Sequence, residues 1–351
     1  MTVLILSNLE DVHAQAVMGA LAKQGAHAEL VDLSEFPTRL ALSLAFEDGR
    51  RRFQLRRLGG GALDLDSVKS VWWRRPQPFS PPAGLDQAGF RLSMSESRTA
   101  FQGLYQALDA YWINEPSRDA VASHKAYQLA LAQEIGLDIP PTLMTNDVEG
   151  AKAFWRRYEG EVIYKQFFAL PEAWRETRRL RPEDESQAAA IAYAPLIFQK
   201  HVPAVADLRV IAVAGELFAA AADVRNAEYP QDVRMNPSAK YEPHDLPPQI
   251  AAKIGELMRR LGLVYGAIDL RLTPEGQYVF LEINPAGQFL YVEHATKQPI
   301  AAALAKALLE RPPVVQPTVS AGASSPRRAA AKASRRSRKA ASIGAGEAAT
   351  G

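Results

Sequence analysis

The order of apolar and polar positions divides the chain into strands and helices. TVLILSN is a buried-strand run, and DVHAQAVMGALAKQGA sets Val12, Ala16, Ala20 and Leu21 near helical spacing with Gly25 as a stop. HAELVDL supplies a second strand, so the opening is β-α-β and predicts a small parallel sheet. FEDGRRRFQLRRLGGGALDLD reads as hairpin-like and leads into the strand SVKSVWWRRP, followed by a helical stretch, SMSESRTAFQGLYQALDAY. Gly59, Gly60 and Gly61 suggest a phosphate loop. No Lys-Ser/Thr follows them and no helix opens there, so a turn between strands is the better reading.

WINEPSRDAVASHKAYQLALAQEIGLDIPPTLMTND reads as strand, loop, helix, a Gly136 cap and a break at Pro140-Pro141, which places a domain boundary near residue 115. From VIYKQF through PLIFQKHVPAVADLRVIAVAGELFAAAADVR the pattern is β-rich, with a turn at Gly215-Glu216. PPQIAAKIGELMRRLGL is a helix, GAIDLRL and YVFLEIN form a hairpin around TPEGQ, and IAAALAKALLE is the last helix, ending at Pro312-Pro313. No internal repeat is apparent.

Composition narrows the chemistry. The 351 residues are 47% hydrophobic and 23% charged, enough for two domains or one elaborate one. Without cysteine there are no disulfides, thiolate nucleophiles or Cys-ligated metals, so a metal must sit on oxygen or on the six histidines. MTVLILSNLEDVH has only a four-residue apolar run before polar residues and does not read as a signal peptide. No run approaches membrane-spanning length, and a cytoplasmic, membrane-free protein is expected. The net charge of +2 hides an asymmetry: residues 313–351 hold seven Lys/Arg against Glu347, a balance of +6, which leaves −4 for the rest. The tail is Ala/Ser/Arg-rich without aromatics and is expected to be disordered, so nucleic acid would be met only through it.

FLEINPAGQFLYVE carries the first chemical signal. If the hairpin turn is Pro274–Gln277, Thr273 faces Tyr278 and Asp269 faces Glu282 across the ladder, with Asn284 further along the same face. Two adjacent carboxylates with no Lys beside them on that face would be neutralised by a divalent cation, and magnesium suits hard oxygen ligands and phosphate. The plainer reading is a solvated strand face with Asn284 starting the turn. Lys125 at a helix start and Lys165 inside a strand are cations suited to phosphate, and IFQKHVP offers backbone groups to an adenine edge. Asp-x-Arg recurs at Asp207/Arg209, Asp223/Arg225, Asp232/Arg234 and Asp269/Arg271. Each is either a same-face ion pair or an arginine clamp for phosphate or carboxylate, Arg209 and Arg234 being the foremost candidates. VWWRRP is either a peptide-binding surface or core tryptophans beside solvated arginines.

In this order, SHKAYQL, VIYKQF, IFQKHVP, LRV, GAIDLRL and FLEINPAGQ resemble the ATP-grasp carboxylate-amine ligase family over residues 115 to 310. Within it, VWWRRP and EINPAGQFLYVE look most like the graspetide, or microviridin-type, maturases of ribosomal peptides, and more distantly like protein or cofactor glutamate ligases. The resemblance implies an α/β chain: an N-terminal parallel-sheet (pre-ATP-grasp) domain at 1–115, an ATP-grasp domain of two α+β lobes at 116–312, and the basic tail at 313–351. It implies ATP with Gln199, Lys200 and Val202 at the adenine hinge, Asp207 near the ribose, and Lys125 and Lys165 on phosphates. Asp269, Glu282 and Asn284 would hold two Mg2+ ions, and Arg209 or Arg234 would stabilise an acyl phosphate. Lys200 departs from the acidic hinge residue common there, and Arg271 is unexpected after a metal-binding Asp.

The implied activity is phosphorylation of an Asp or Glu side chain of a precursor peptide, then attack by a Ser, Thr or Lys side chain to close an ester or amide. A homodimer is compatible with such an enzyme. The alternatives are a glutamate or amino-acid ligase of the same fold, a nucleic-acid-associated protein working through the tail, and a nucleotide-binding regulator without ligation.

Overall fold

A computed structural model describes residues 2–167, 177–225 and 239–313. Residues 1–316 form one compact unit, and the tail read as disordered lies outside the described residues. The chain opens with β1 (Thr2–Leu6), α1 (Val12–Lys23) and β2 (His27–Val31), as the apolar pattern predicts. β3 (Leu40–Glu47), β4 (Arg50–Arg57) and β5 (Ala62–Asp64) form a separate antiparallel sheet. Asp48 and Gly49, both at positive φ, make the tight β3–β4 turn, the geometry for which Asp-Gly is favoured. Gly59–Gly61 turn the chain from β4 to β5, with Gly60 N–H donating to Arg57 C=O at 3.0 Å, so they serve as the turn expected.

β6 (Val68–Trp73), α2 (Gln87–Ala107) and β7 (Tyr111–Ile113) complete a parallel sheet of order β2-β1-β6-β7. Alternation splits its side chains between two cores. Val3, Ile5, Trp72 and Ile113 enter one, and Leu4, Leu6, Val71 and Trp112 enter the other, with Phe53 of the hairpin and Phe101 of α2. α3 (Pro116–Ala122) follows where a loop was expected. Pro116 starts it and Glu115 caps the N–H groups of Ser117 and Arg118, a local signal masked by the absence of an apolar stripe.

α4 (Lys125–Ile135) ends at Gly136 as predicted. β8 (Thr142–Thr145), α5 (Val148–Arg157), β9 (Val162–Lys165), β10 (Arg178–Arg179), a 3-10 stretch at Pro182–Tyr193 and β11 (Leu196–Lys200) build an antiparallel sheet of order β10-β9-β11-β8. β12 (Ala206–Val213), β13 (Glu216–Asp223), β14 (Tyr241–Pro243), α6 (Pro248–Leu261), β15 (Tyr265–Leu272) and β16 (Tyr278–Asn284) give a fourth sheet, β14-β13-β12-β15-β16. α7 (Leu290–Thr296) and α8 (Ile300–Glu310) close the described chain. Among the described residues no helix is long and apolar enough to cross a membrane.

Parity along β12 and β15 positions the cleft. The even residues Leu208, Val210, Ala212, Ile268 and Leu270 pack against Ile254, Leu257 and Leu261 of α6. On the opposite face, Ile211, Val213, Tyr265 and Ala267 join the core shared with β1, β6 and α8. Further along that same face stand Asp207, Arg209, Asp269 and Arg271, which line an open cleft.

Candidate functional site

The β15–β16 hairpin has a longer turn than the sequence count assumed, and a bulge that compensates for it. Leu272 pairs with Tyr278, and Thr273 N–H donates to Gln277 C=O, so the loop is five residues long. A bulge leaves Leu281 unpaired and restores Asp269 opposite Glu282. The bulge also breaks simple alternation: Phe280 and Ile283 are core residues, whereas Leu281 and Glu282 both line the cleft.

The two Asp-x-Arg motifs on β12 and β15 pair across the strands rather than within them. The antiparallel register sets Asp207 opposite Arg271 and Arg209 opposite Asp269. Arg271 Nε donates to Asp207 Oδ1 at 2.7 Å and its Nη1 to Val202 C=O at 2.9 Å. Arg209 Nη1 donates to Asp269 Oδ1 at 2.7 Å and its Nη2 to Gln288 C=O at 3.0 Å. Burial disfavours the Arg209 charge, but the Asp269 carboxylate, its hydrogen bond and the nearby Tyr291 and Tyr265 together outweigh this and raise its pKa. Asp223 and Arg225 do pair within their own segment, on an exposed edge. Asp232, Arg234 and Asn236 lie outside the described residues.

Glu282 accepts from Lys125 Nζ, which α4 points at β16. The expectation of two carboxylates without a neighbouring cation is therefore overturned: Arg209 and Lys125 each partner one of them. Among the described residues no group of three or more His, Cys, Asp and Glu gathers, so a metal here would rest on this pair and other oxygens. Asn284 is exposed, and its Oδ1 accepts from Ala286 N–H at 2.9 Å.

Lys165 and Gln199 line the opposite wall, on β9 and β11, with Lys200 and Val202 beyond them. Gln199 is 1% exposed, and its Nε2 donates to Thr142 Oγ1 at 3.0 Å while Oε1 has no partner. A buried acceptor left open costs stability unless a ligand donor meets it. Lysines on one wall, carboxylates with their partner cations on the other and an open amide oxygen on β11 fit a nucleoside triphosphate with its magnesium.

Sequence reasoning missed the residues that hold β16. β16 is an edge strand, and the buried Gln128 of α4 takes the place of a neighbour: its Nε2 donates to Ile283 C=O at 2.8 Å and its Oε1 accepts from Ile283 N–H at 3.1 Å. Asn114, at the end of β7, donates to Tyr265 C=O and Pro285 C=O and accepts from Val264 and Tyr265 N–H. VWWRRP is mostly interior: Trp72 and Arg74 are each 1% exposed, Trp73 stacks edge-on with Tyr105, and Arg75 is exposed. The peptide-surface reading of that motif fails for Trp72 and Arg74. A polar residue inside an apolar run, Gln128 in KAYQLALA, was the available signal.

A family model described as the MvdD pre-ATP grasp domain matches residues 2–120. No curated protein matches the chain. Among solved structures, the macrocyclase MdnC of Microcystis aeruginosa MRC, bound with precursor peptide MdnA, is 30% identical with a TM-score of 0.79, covering 88% of this chain and 100% of that one. The macrocyclase MdnB of the same organism is 31% identical with a TM-score of 0.76, covering 88% and 99%. A RiPP-associated ATP-grasp ligase of Chryseobacterium gregarium, in complex with ADP and a leader and core peptide, is 28% identical with a TM-score of 0.81, covering 90% and 98%.

Proposed function

Because the chain belongs to the family of ATP-grasp ligases that includes the macrocyclases MdnB and MdnC, we propose that it cross-links a ribosomal precursor peptide at the expense of ATP. The observation that carries this is the 30% identity over the full length of a macrocyclase bound with its precursor. The substrate's Asp or Glu carboxylate attacks the γ-phosphorus and ADP departs, leaving an acyl phosphate. A Ser or Thr hydroxyl or a Lys amine of the same peptide then attacks the carbonyl. Phosphate leaves, the nucleophile loses its proton, and an ester or amide ring remains.

In this reading Gln199 Oε1 and the backbone at Lys200 and Val202 face the adenine, and Lys165 and Lys125 the phosphates. Asp207 lies toward the ribose but is held by Arg271. Asp269 and Glu282 are the metal ligands, and the second lone pair on Asn284 Oδ1 is available as a third. Magnesium, when bound, neutralises the charge of the transferring phosphoryl group. Arg209, oriented by Asp269, stabilises the acyl phosphate and the oxyanion that follows it; Arg234 is a second candidate. The count of two metal ions, a homodimer and a cytoplasmic site remain part of the proposal, the last consistent with a cysteine-free sequence. The first domain is taken as 1–115 and the ATP-grasp domain as 116–312.

Enzyme, Mg-ATP and an Asp/Glu-rich peptide with downstream Ser, Thr or Lys should give a product lighter by one water per ring, with one ADP formed for each. Mass gains matching added glutamates on an acceptor would replace this reading with a glutamate ligase.

A further inference from the structure

The turn that ends β16 has every carbonyl from 285 to 288 bonded by a side chain from elsewhere. Pro285 C=O accepts from Asn114 Nδ2 at 3.1 Å, and Ala286 C=O accepts from Arg74 and from Arg75 Nε. Gly287 C=O accepts from Arg74 Nη1 at 3.0 Å and Tyr265 Oη at 2.8 Å. Gln288 C=O accepts from Arg209 Nη2 at 3.0 Å. The turn is thus a splint between the carboxyl edge of the parallel sheet, which supplies Arg74, Arg75 and Asn114, and the one cleft arginine described above as partnering Asp269.

We propose that Arg74 is a positioning residue for ligation, setting the Arg209 guanidinium through the 286–288 backbone. Arg74 sits where β6 ends, 1% exposed, with Nε on Asp11 Oδ2 at 3.1 Å. Asp11 is held in turn by Ser7 Oγ at 2.6 Å and His13 N–H at 2.9 Å. A buried ion pair of this kind is poor value for stability, since apolar residues of the same volume usually do as well, but it fixes direction. Its direction here is toward carbonyls 212 and 213 residues away in the chain. Space at the turn is equally determined. A Cβ on Gly287 would lie 2.3 Å from Ala267 Cβ and 2.7 Å from Arg209 Nη2, so a shift of the turn is transmitted directly to Arg209. Lysine at position 74 would keep the charge beside Asp11 but could not span Asp11 and both carbonyls as the guanidinium does.

This rests on the proposed role of Arg209, and a double-mutant cycle separates the two. Arg74→Lys should lower kcat for ring closure about ten- to a hundredfold, with KM for ATP within about twofold of wild type. Arg74→Lys combined with Arg209→Lys should be no slower than Arg209→Lys alone, because both changes remove one shared function. Tyr265→Phe removes only the hydroxyl from Gly287 C=O and serves if Arg74→Lys does not fold; its smaller loss should also vanish in the Arg209→Lys background. A crystal structure of the Arg74→Lys variant should show Arg209 Nη2 beyond about 3.5 Å from Gln288 C=O. Multiplicative losses in kcat, or an unmoved Arg209, overturn the positioning role and leave the role of Arg209 standing. Full activity of Arg209→Lys overturns both.

Discussion

Glu282 and Asp269 each lie against a cation of the protein, which sets what their substitution should do. Glu282→Gln removes the partner of a lysine whose side chain is 21% exposed, a loss of about 1 kcal/mol, yet it should abolish Mg-dependent ATP turnover because an amide cannot offset metal charge. An unchanged turnover number in a coupled ADP assay would dismiss Glu282 as a metal ligand. Asp119 offers a test by pH. Burial pushes its carboxyl up to about 7, and Oδ2 has no hydrogen-bond partner. The neutral acid is favoured in the fold, so this contribution is present below the ordinary carboxylate value of 3.8 and is lost as pH rises through 7. Asp119→Asn should therefore raise the melting temperature by a few degrees at about pH 8, and the difference should shrink toward about pH 5. The cleft residues Asp207, Arg209 and Asp269 were readable from the sequence because strand parity puts them on one face, whereas Glu282 reaches it through the Leu281 bulge. Asn114 and Arg74 were not readable, since their partners lie 63 to 213 residues away and nothing local encodes the contact.

Among the elements, β16 shows how a correct pairing can arise from an incorrect count. The expected four-residue turn is five residues long, and the Leu281 bulge compensates, so Asp269 still meets Glu282. Long apolar-periodic elements were legible: α1, α4, α6 and α8 lie where the pattern puts them. Short ones were not. α7 follows directly on the turn after β16 and is seven residues long, too few to display a helical period. The edge of β16 makes a quantitative test possible. Gln128→Leu keeps the volume of a buried side chain but strips Ile283 N–H and C=O of their partners, at about 2–4 kcal/mol. Thermal unfolding should move down accordingly, and ATP turnover should fall with it; an unshifted transition would mean that water or a neighbouring strand serves the edge equally well.

For the molecule as a whole, the parallel sheet and the β12–β16 sheet share a core. Val3, Ile5, Trp72 and Ile113 meet Ile211, Phe218, Tyr265, Leu304 and Leu308. Residues 1–115 expressed alone should therefore lack a cooperative calorimetric transition, because one face of their sheet would stand open where α8 now packs; a sharp transition from that fragment would show that the apolar face is dispensable. The basic tail is a different case: its composition offers no apolar anchor, so deleting residues 317–351 should leave melting temperature and ATP affinity unchanged by calorimetry. Ser70 Oγ donates to Leu308 C=O at 2.6 Å, joining the middle strand of the first sheet to the last helix across 238 residues. On a ribosome adding 5–20 residues per second, that strand waits roughly 10–50 s for its cover. Throughout that interval the Val3, Ile5 and Trp72 face lacks its α8 cover, so the parallel sheet is expected to complete its folding only once the end of the compact unit has been made.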